Sequence, residues 1–178
     1  MSQILQRGIE DELIPACHRY GIDVLVYGLT VGGLLSGSVQ DKNTIPSEGR
    51  YSNKVMGGMS RQFYFRDSMF EAIRLAREAA DKHGLSLVEV GLRWLVHHSK
   101  LNIKDGGNDG VVVGVSSLKQ LVENLDALKN REPLPKDVLD ALDGACKIDK
   151  PYTPPYFHHE LRYTYDTQEA LFGSTSAE

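Results

Sequence analysis

Two short apolar runs, each set off from a preceding helix by a turn and followed at once by glycine, constrain this chain more than any other feature. The first is Asp23-Val24-Leu25-Val26-Tyr27 with Gly28 behind it; the second is Val111-Val112-Val113 with Gly114 behind it. Runs this short and this rich in branched residues, bounded by turn signals, read as buried strands of a parallel sheet. Strands that alternate with helices pair in parallel through crossovers, so the expected class is α/β.

The surrounding helices carry their own start and stop signals. Residues 9–20, IEDELIPACHRY, open on acidic groups and stop before Gly21, a left-handed cap, and the triplet Glu10-Asp11-Glu12 reads most simply as compensation of the helix dipole. Phe70, Ile73, Ala76 and Ala80 share one helical face up to Gly84. Ser86 and Glu89 form a capping box ahead of Leu87, Val90, Trp94 and Leu95. Ser116 or Ser117 caps a helix over 117–129, whose Leu118, Leu121, Leu125 and Leu128 form an apolar stripe expected to face the core, with Lys119, Glu123 and Asp126 outward. Another helix follows Pro135. Between Ser38 and Arg66 periodicity is lost in a loop long enough to be functional or mobile, and 104–110, KDGGNDG, is turn material. Residues 1–150 read as one unit and 151–178, opening PYTPPYFHH, as an irregular tail.

Charge and composition narrow the partners. With a net charge of -4 and scattered lysines and arginines, the chain has no basic footprint, so nucleic acid is not expected. No stretch approaches the roughly 18 apolar residues of a membrane span, and Met1-Ser2-Gln3 leads into polar sequence rather than a secretory signal. A soluble cytoplasmic protein without a membrane partner is expected. Cys17 and Cys146 lie far apart and read as buried free thiols; His97-His98 and His158-His159 are adjacent pairs without a third ligand, so no metal site is expected.

Two loops are suited to bind an anion. Thr30 to Ser38, TVGGLLSGS, follows the first strand, and its glycines permit backbone N–H groups to approach a phosphate, although by themselves they read more commonly as simple turn chemistry. After the second strand, Gly114-Val115-Ser116-Ser117 places two hydroxyls at a helix N-terminus, where an anion is stabilised; plain N-capping is the alternative reading.

The same residues carry a resemblance. Tyr27 to Gly37, YGLTVGGLLSG, then Leu92-Arg93-Trp94-Leu95, then Val112-Val113-Gly114-Val115-Ser116-Ser117 with Gln120, Glu123, Asn124 and Leu125, resemble the carboxy-terminal signature of the aldo-keto reductases, and within them the aflatoxin-aldehyde reductase subgroup. The resemblance covers nearly the whole chain from about Arg7. It implies the C-terminal portion of a (β/α)8 (TIM) barrel, a fold of about 250 residues whose active face lies at the strand C-termini, and reduction of a small-molecule carbonyl by hydride transfer from NADPH.

By the same resemblance, Tyr27 stacks on the nicotinamide, while Gly28, Leu29, Thr30, Val31, Gly32, Gly33, Leu34, Leu35, Ser36, Gly37 and Ser38 wrap the pyrophosphate. Arg50 folds over the cofactor. Gly114, Val115, Ser116, Ser117, Gln120, Glu123 and Asn124 surround the adenosine and its 2′-phosphate. Ser60 and Phe63 stand where the subgroup places a substrate-contacting tyrosine and arginine, and Leu29-Thr30 and Ser38 depart from the usual Pro-Leu and lysine. The family's catalytic tyrosine, lysine, aspartate and histidine belong to the first half of the barrel, which this sequence does not contain, so a truncated reductase without catalytic residues is expected. A non-catalytic NADP-binding or interaction module and an inactive remnant are the competing readings, and a homo-oligomer stays open.

Overall fold

The computed structural model describes residues 4–54, 57–104, 106–130 and 132–153. The expected tail from 154 onward, with His158 and His159, lies outside them.

Helix α1 (Leu13–Arg19) ends where Gly21 adopts φ 67° and the Ile22 amide reaches back to the Cys17 carbonyl, the left-handed termination that glycine permits. Strand β1 (Leu25–Val26) follows, then a 3-10 segment (Val31–Ser36), α2 (Gly57–Tyr64), α3 (Asp67–Asp81), α4 (Leu87–His97), β2 (Gly110–Val111), α5 (Leu118–Lys129) and α6 (Lys136–Asp149). The two strands pair in parallel, Leu25 beside Gly110 and Val26 beside Val111, and the Val112 amide donates to the Val26 carbonyl at 2.8 Å. The α/β class and parallel pairing expected from the two runs are present. Ser86 caps α4 as its spacing with Glu89 foretold, its hydroxyl accepting the Glu89 amide at 3.1 Å.

The core lies on the helix side of the strands. Val26, Leu29, Leu34 and Leu35 meet Ile14, Met69, Ala72, Ala76, Val90, Leu92 and Leu95, all buried. Helix α3 packs along α6, and α4 lies against α5 and the 3-10 segment. Opposite ends of the described chain are tied by Asp149, fully buried, which accepts from Gln6 Nε2 at 2.8 Å, Ser68 Oγ at 2.7 Å, and Arg66 through Nε at 3.1 Å and Nη2 at 3.0 Å.

Four expectations are corrected. The strands are buried on one face only: Leu25 is 68% and Tyr27 65% exposed, with Val112 also outward, because nothing among the described residues covers that side of the sheet. The loop from Ser38 to Arg66 contains helix α2, which the low helix propensity of Gly57-Gly58 conceals. In α5 the buried residues are Asn124 and Ala127, whereas Leu118, Leu121, Val122 and Leu125 are exposed, so of the expected stripe only Leu128, partly buried, packs against this core. The acidic triplet precedes α1 instead of occupying its first turn. Glu10 is buried, accepts the Lys100 amide at 3.2 Å, and is pushed above the usual carboxylate range by that burial, while Asp11 pairs with Lys150 at 2.5 Å.

Candidate functional site

Because β1 and β2 run parallel and side by side, the chain leaves both at the same end. Neighbouring strands sit about 4.8 Å apart. The segment Tyr27–Ser38 and the segment Gly114–Ser117 therefore emerge next to one another, which sequence spacing alone could not fix.

The first of these segments is a turn built on glycine. Gly32 and Gly33 have φ values of 63° and 105°, and even Val31 is held at φ 53°, a conformation β-branched residues rarely adopt. Val31, Leu34 and Leu35 are buried beneath the turn, and Ser36 Oγ donates to the Gly33 carbonyl at 2.7 Å. A side chain on Gly32 would have no room. Its Cβ would stand 2.7 Å from the Tyr51 hydroxyl and 2.8 Å from Arg50 Cδ. Arg50, distant in sequence, thus crosses directly over the turn. At Gly37 a Cβ would stand 2.9 Å from Arg77 Nη1, so a second guanidinium, from α3, lies against the far end of the same segment. Beyond it, Gly37, Ser38, Val39, Gln40, Asp41, Thr44 and Pro46 line a recess of about 290 Å³.

The second segment is the start of α5. Ser117 Oγ accepts the Gln120 amide at 3.2 Å, while Gln120 Oε1 accepts the Ser116 amide at 2.9 Å and the Ser116 hydroxyl at 3.0 Å. The cap expected of these serines is formed, and Gln120 is the residue that braces it. Gly114, Val115, Ser116, Ser117, Gln120 and Glu123 are all exposed; Asn124 is buried on the inner face of α5. An anion reaching this helix start finds exposed polar groups at the positive end of a helix 12 residues long.

Tyr27 is open to solvent on the uncovered face of the sheet. Ser60 is buried in α2 and Phe63 is exposed on it. Further residues without a place in the sequence reading belong to this site. Tyr51 is buried, its hydroxyl donates to the Val31 carbonyl, and its ring packs against Phe65 at 5.0 Å and Tyr64 at 6.4 Å. Burial holds both tyrosine hydroxyls above the usual range, and Tyr64 also feels Arg50 and Tyr27. Arg61, on α2, donates from Nη1 to the Tyr51 carbonyl at 2.5 Å and the Ser52 carbonyl at 2.9 Å, and from Nη2 to Asn53 Oδ1 at 3.1 Å. The available signal was an arginine and aromatic residues inside an otherwise polar loop.

Among the described residues no group of three or more His, Cys, Asp and Glu side chains is arranged to hold a metal, and no helix is long and apolar enough to cross a membrane. His97 Nε2 contacts the Asn130 carbonyl at 2.9 Å, and His98 Nε2 accepts the Leu134 amide at 3.1 Å, so both serve the packing of α4 on the segment after α5. Cys146 is buried and Cys17 half-buried, both as free thiols.

With this geometry in place, comparison with known proteins is specific. A family model described as the Aldo/keto reductase family matches residues 2–147. Similar curated proteins include an aldo-keto reductase of Pseudocercospora fijiensis, 37% identical over 86% of this chain and 51% of that protein. Aldo-keto reductase family 7 member A3 of Homo sapiens is 34% identical over 88% of this chain and 48% of its own length. Aflatoxin B1 aldehyde reductase member 2 of Rattus norvegicus is 34% identical over 85% and 42%. The chain thus spans about half the length of these relatives. Among solved structures, the glycerol dehydrogenase of Gluconobacter oxydans shares the fold with a TM-score of 0.53 at 22% identity, covering 90% of this chain and 45% of that one.

Proposed function

The chain belongs to the aldo/keto reductase family, and from that premise we propose that it is the C-terminal part of a (β/α)8-barrel reductase, holding NADPH for reduction of a small-molecule carbonyl. The observation that carries this reading is the parallel register of β1 and β2. It brings the Tyr27–Ser38 turn and the start of α5 to one end of the sheet, while Arg50 crosses over Gly32.

The residues fit a dinucleotide with two anionic regions. The glycine turn leaves no side chain between its backbone and the Arg50 stem, so a pyrophosphate would meet backbone N–H groups and a guanidinium together. The exposed hydroxyls of Ser116 and Ser117 at the α5 N-terminus would take the 2′-phosphate that separates NADPH from NADH, with Gln120 and Glu123 beside the adenosine. Tyr27, exposed on the open sheet face, would support the nicotinamide. When bound, a reduced nicotinamide supplies the two electrons that convert a carbonyl to an alcohol.

This chain's own residues bind and orient. Tyr51 is committed to the Val31 carbonyl and buried, which removes it as a proton donor to a carbonyl oxygen that must lie within hydrogen-bond reach. The relatives are about twice as long, and we assign the proton donor to the half that this chain does not match.

The test is a titration of the full chain with NADPH, followed by nicotinamide fluorescence, beside an assay with an aromatic aldehyde. Saturable binding without turnover above background supports the reading. Aldehyde reduction by the chain alone would overturn the assignment of the proton donor, and a folded chain that leaves NADPH fluorescence unchanged would overturn the cofactor role.

A further inference from the structure

We propose that Tyr51 and Arg61 form a latch that presents Arg50 to the dinucleotide, acting as positioning residues rather than as ligands. This inference rests on the cofactor reading above and names what holds that site in shape.

Arg50 sits in a polar loop that must cross from the recess at Gly37 to helix α2, and an exposed arginine on such a loop would ordinarily sample many conformations. Here the residue after it is an anchor. The Tyr51 ring is buried between Tyr64 and Phe65, and its hydroxyl closes on the carbonyl of Val31, inside the glycine turn. That single bond joins the two segments that would meet the pyrophosphate from either side.

Arg61 fixes the loop from below. Its planar guanidinium gathers the Tyr51 carbonyl, the Ser52 carbonyl and Asn53 Oδ1, three acceptors from three consecutive residues. The fork geometry of a guanidinium allows this and a lysine ammonium does not reproduce it. Ser52 Oγ adds a bond to the Gly49 carbonyl at 2.8 Å, closing the turn on the other side of Arg50. Arg50 is thereby bracketed by Gly49 and Tyr51, both fixed, with its stem over Gly32. Neither latch side chain needs to touch the ligand. Tyr51 is buried, and the Arg61 donors named here already have protein acceptors.

Pre-ordering Arg50 in this way removes part of the ordering cost from the binding step. The latch should then act only through Arg50, which a double-mutant cycle isolates. The experiment uses the full chain and the variants Tyr51→Phe, Arg61→Lys, Arg50→Ala and both doubles with Arg50→Ala. Amide exchange over 49–54 is followed without nucleotide, and NADPH affinity is followed by fluorescence. Tyr51→Phe and Arg61→Lys should each speed exchange about tenfold and weaken NADPH about fivefold, the loss expected for one net hydrogen bond. In the Arg50→Ala background the same changes should cost no further affinity.

Unchanged exchange in both latch variants, with NADPH binding intact, would overturn the latch and leave the cofactor reading standing. Losses that add fully to that of Arg50→Ala would overturn the coupling to Arg50. Failure of the parent chain to bind NADPH would overturn both readings, and the exchange data would show separately whether the loop is held.

Discussion

The Asp109 carboxylate, immediately before β2, accepts the backbone amide of Val24, immediately before β1, at 2.7 Å through Oδ1. Its other oxygen accepts the Asn102 amide at 2.6 Å and contacts His18 Nε2 at 2.7 Å. One buried carboxylate thus ties the starts of both strands to the end of α1, at the sheet end opposite the candidate site. In barrels that end serves stability and the other serves function.

Asp109→Asn should therefore destabilise the fold by about 2 kcal/mol, since the new NH₂ group cannot accept the Asn102 amide. Burial alone would raise the Asp109 pKa, but the amides of Asn102 and Val24 and the contact with His18 outweigh it and hold the carboxyl below its usual range. A lowered folded-state value contributes stability that is fully present above the unfolded pKa, roughly 3.9, and is lost as pH falls through the folded value. Chemical denaturation of parent and variant from pH 7 down to pH 2 checks both points: the gap should narrow below about pH 4.

Gly32→Ala tests the close approach at the site. A side chain there meets Tyr51 and Arg50 and must also accept φ 63°. The strain alone is about 1–2 kcal/mol. NADPH affinity should fall at least about tenfold. Gly28→Ala shares the positive φ, at 73°, but meets no atom within 4 Å. It should lower thermal stability by a similar strain while affecting affinity less.

Asp149→Ala removes the acceptor shared by Gln6, Arg66 and Ser68. Losing one partner of a buried charge cluster costs about 3 kcal/mol, and less where the cation reaches water, as Arg66 partly does. The melting temperature should drop by several degrees, whereas Lys136→Ala, removing an exposed pair on α6, should leave it essentially unchanged.

Helix α5 shows how the sequence was legible and where it was not. Its limits, its Ser117 cap and its amphipathic period could all be read from the residues, because these are local properties. The direction of its apolar stripe could not be read, because that depends on what packs against it. Among the described residues, Leu118, Leu121 and Leu125 face solvent and Asn124 and Ala127 face inward. The same holds for Leu25 and Tyr27, whose run reads as buried while one face is open. Leu125→Lys should accordingly change stability by under about 0.5 kcal/mol, and Leu92→Ala, in the core, should cost about 3 kcal/mol. At the site, the glycine turn and the serine cap were visible as motifs. Tyr51 and Arg61 were not, because their roles arise only when the loop folds back on Val31.

Whether these loops hold NADPH is read from thermal unfolding of the full chain titrated with NADPH and, in parallel, NADH. A ligand that binds only the folded state raises its stability by about 2.7 kcal/mol at a hundredfold excess over Kd. A saturable rise is expected with NADPH and a smaller one with NADH. A folded chain whose melting temperature moves with neither nucleotide would contradict it.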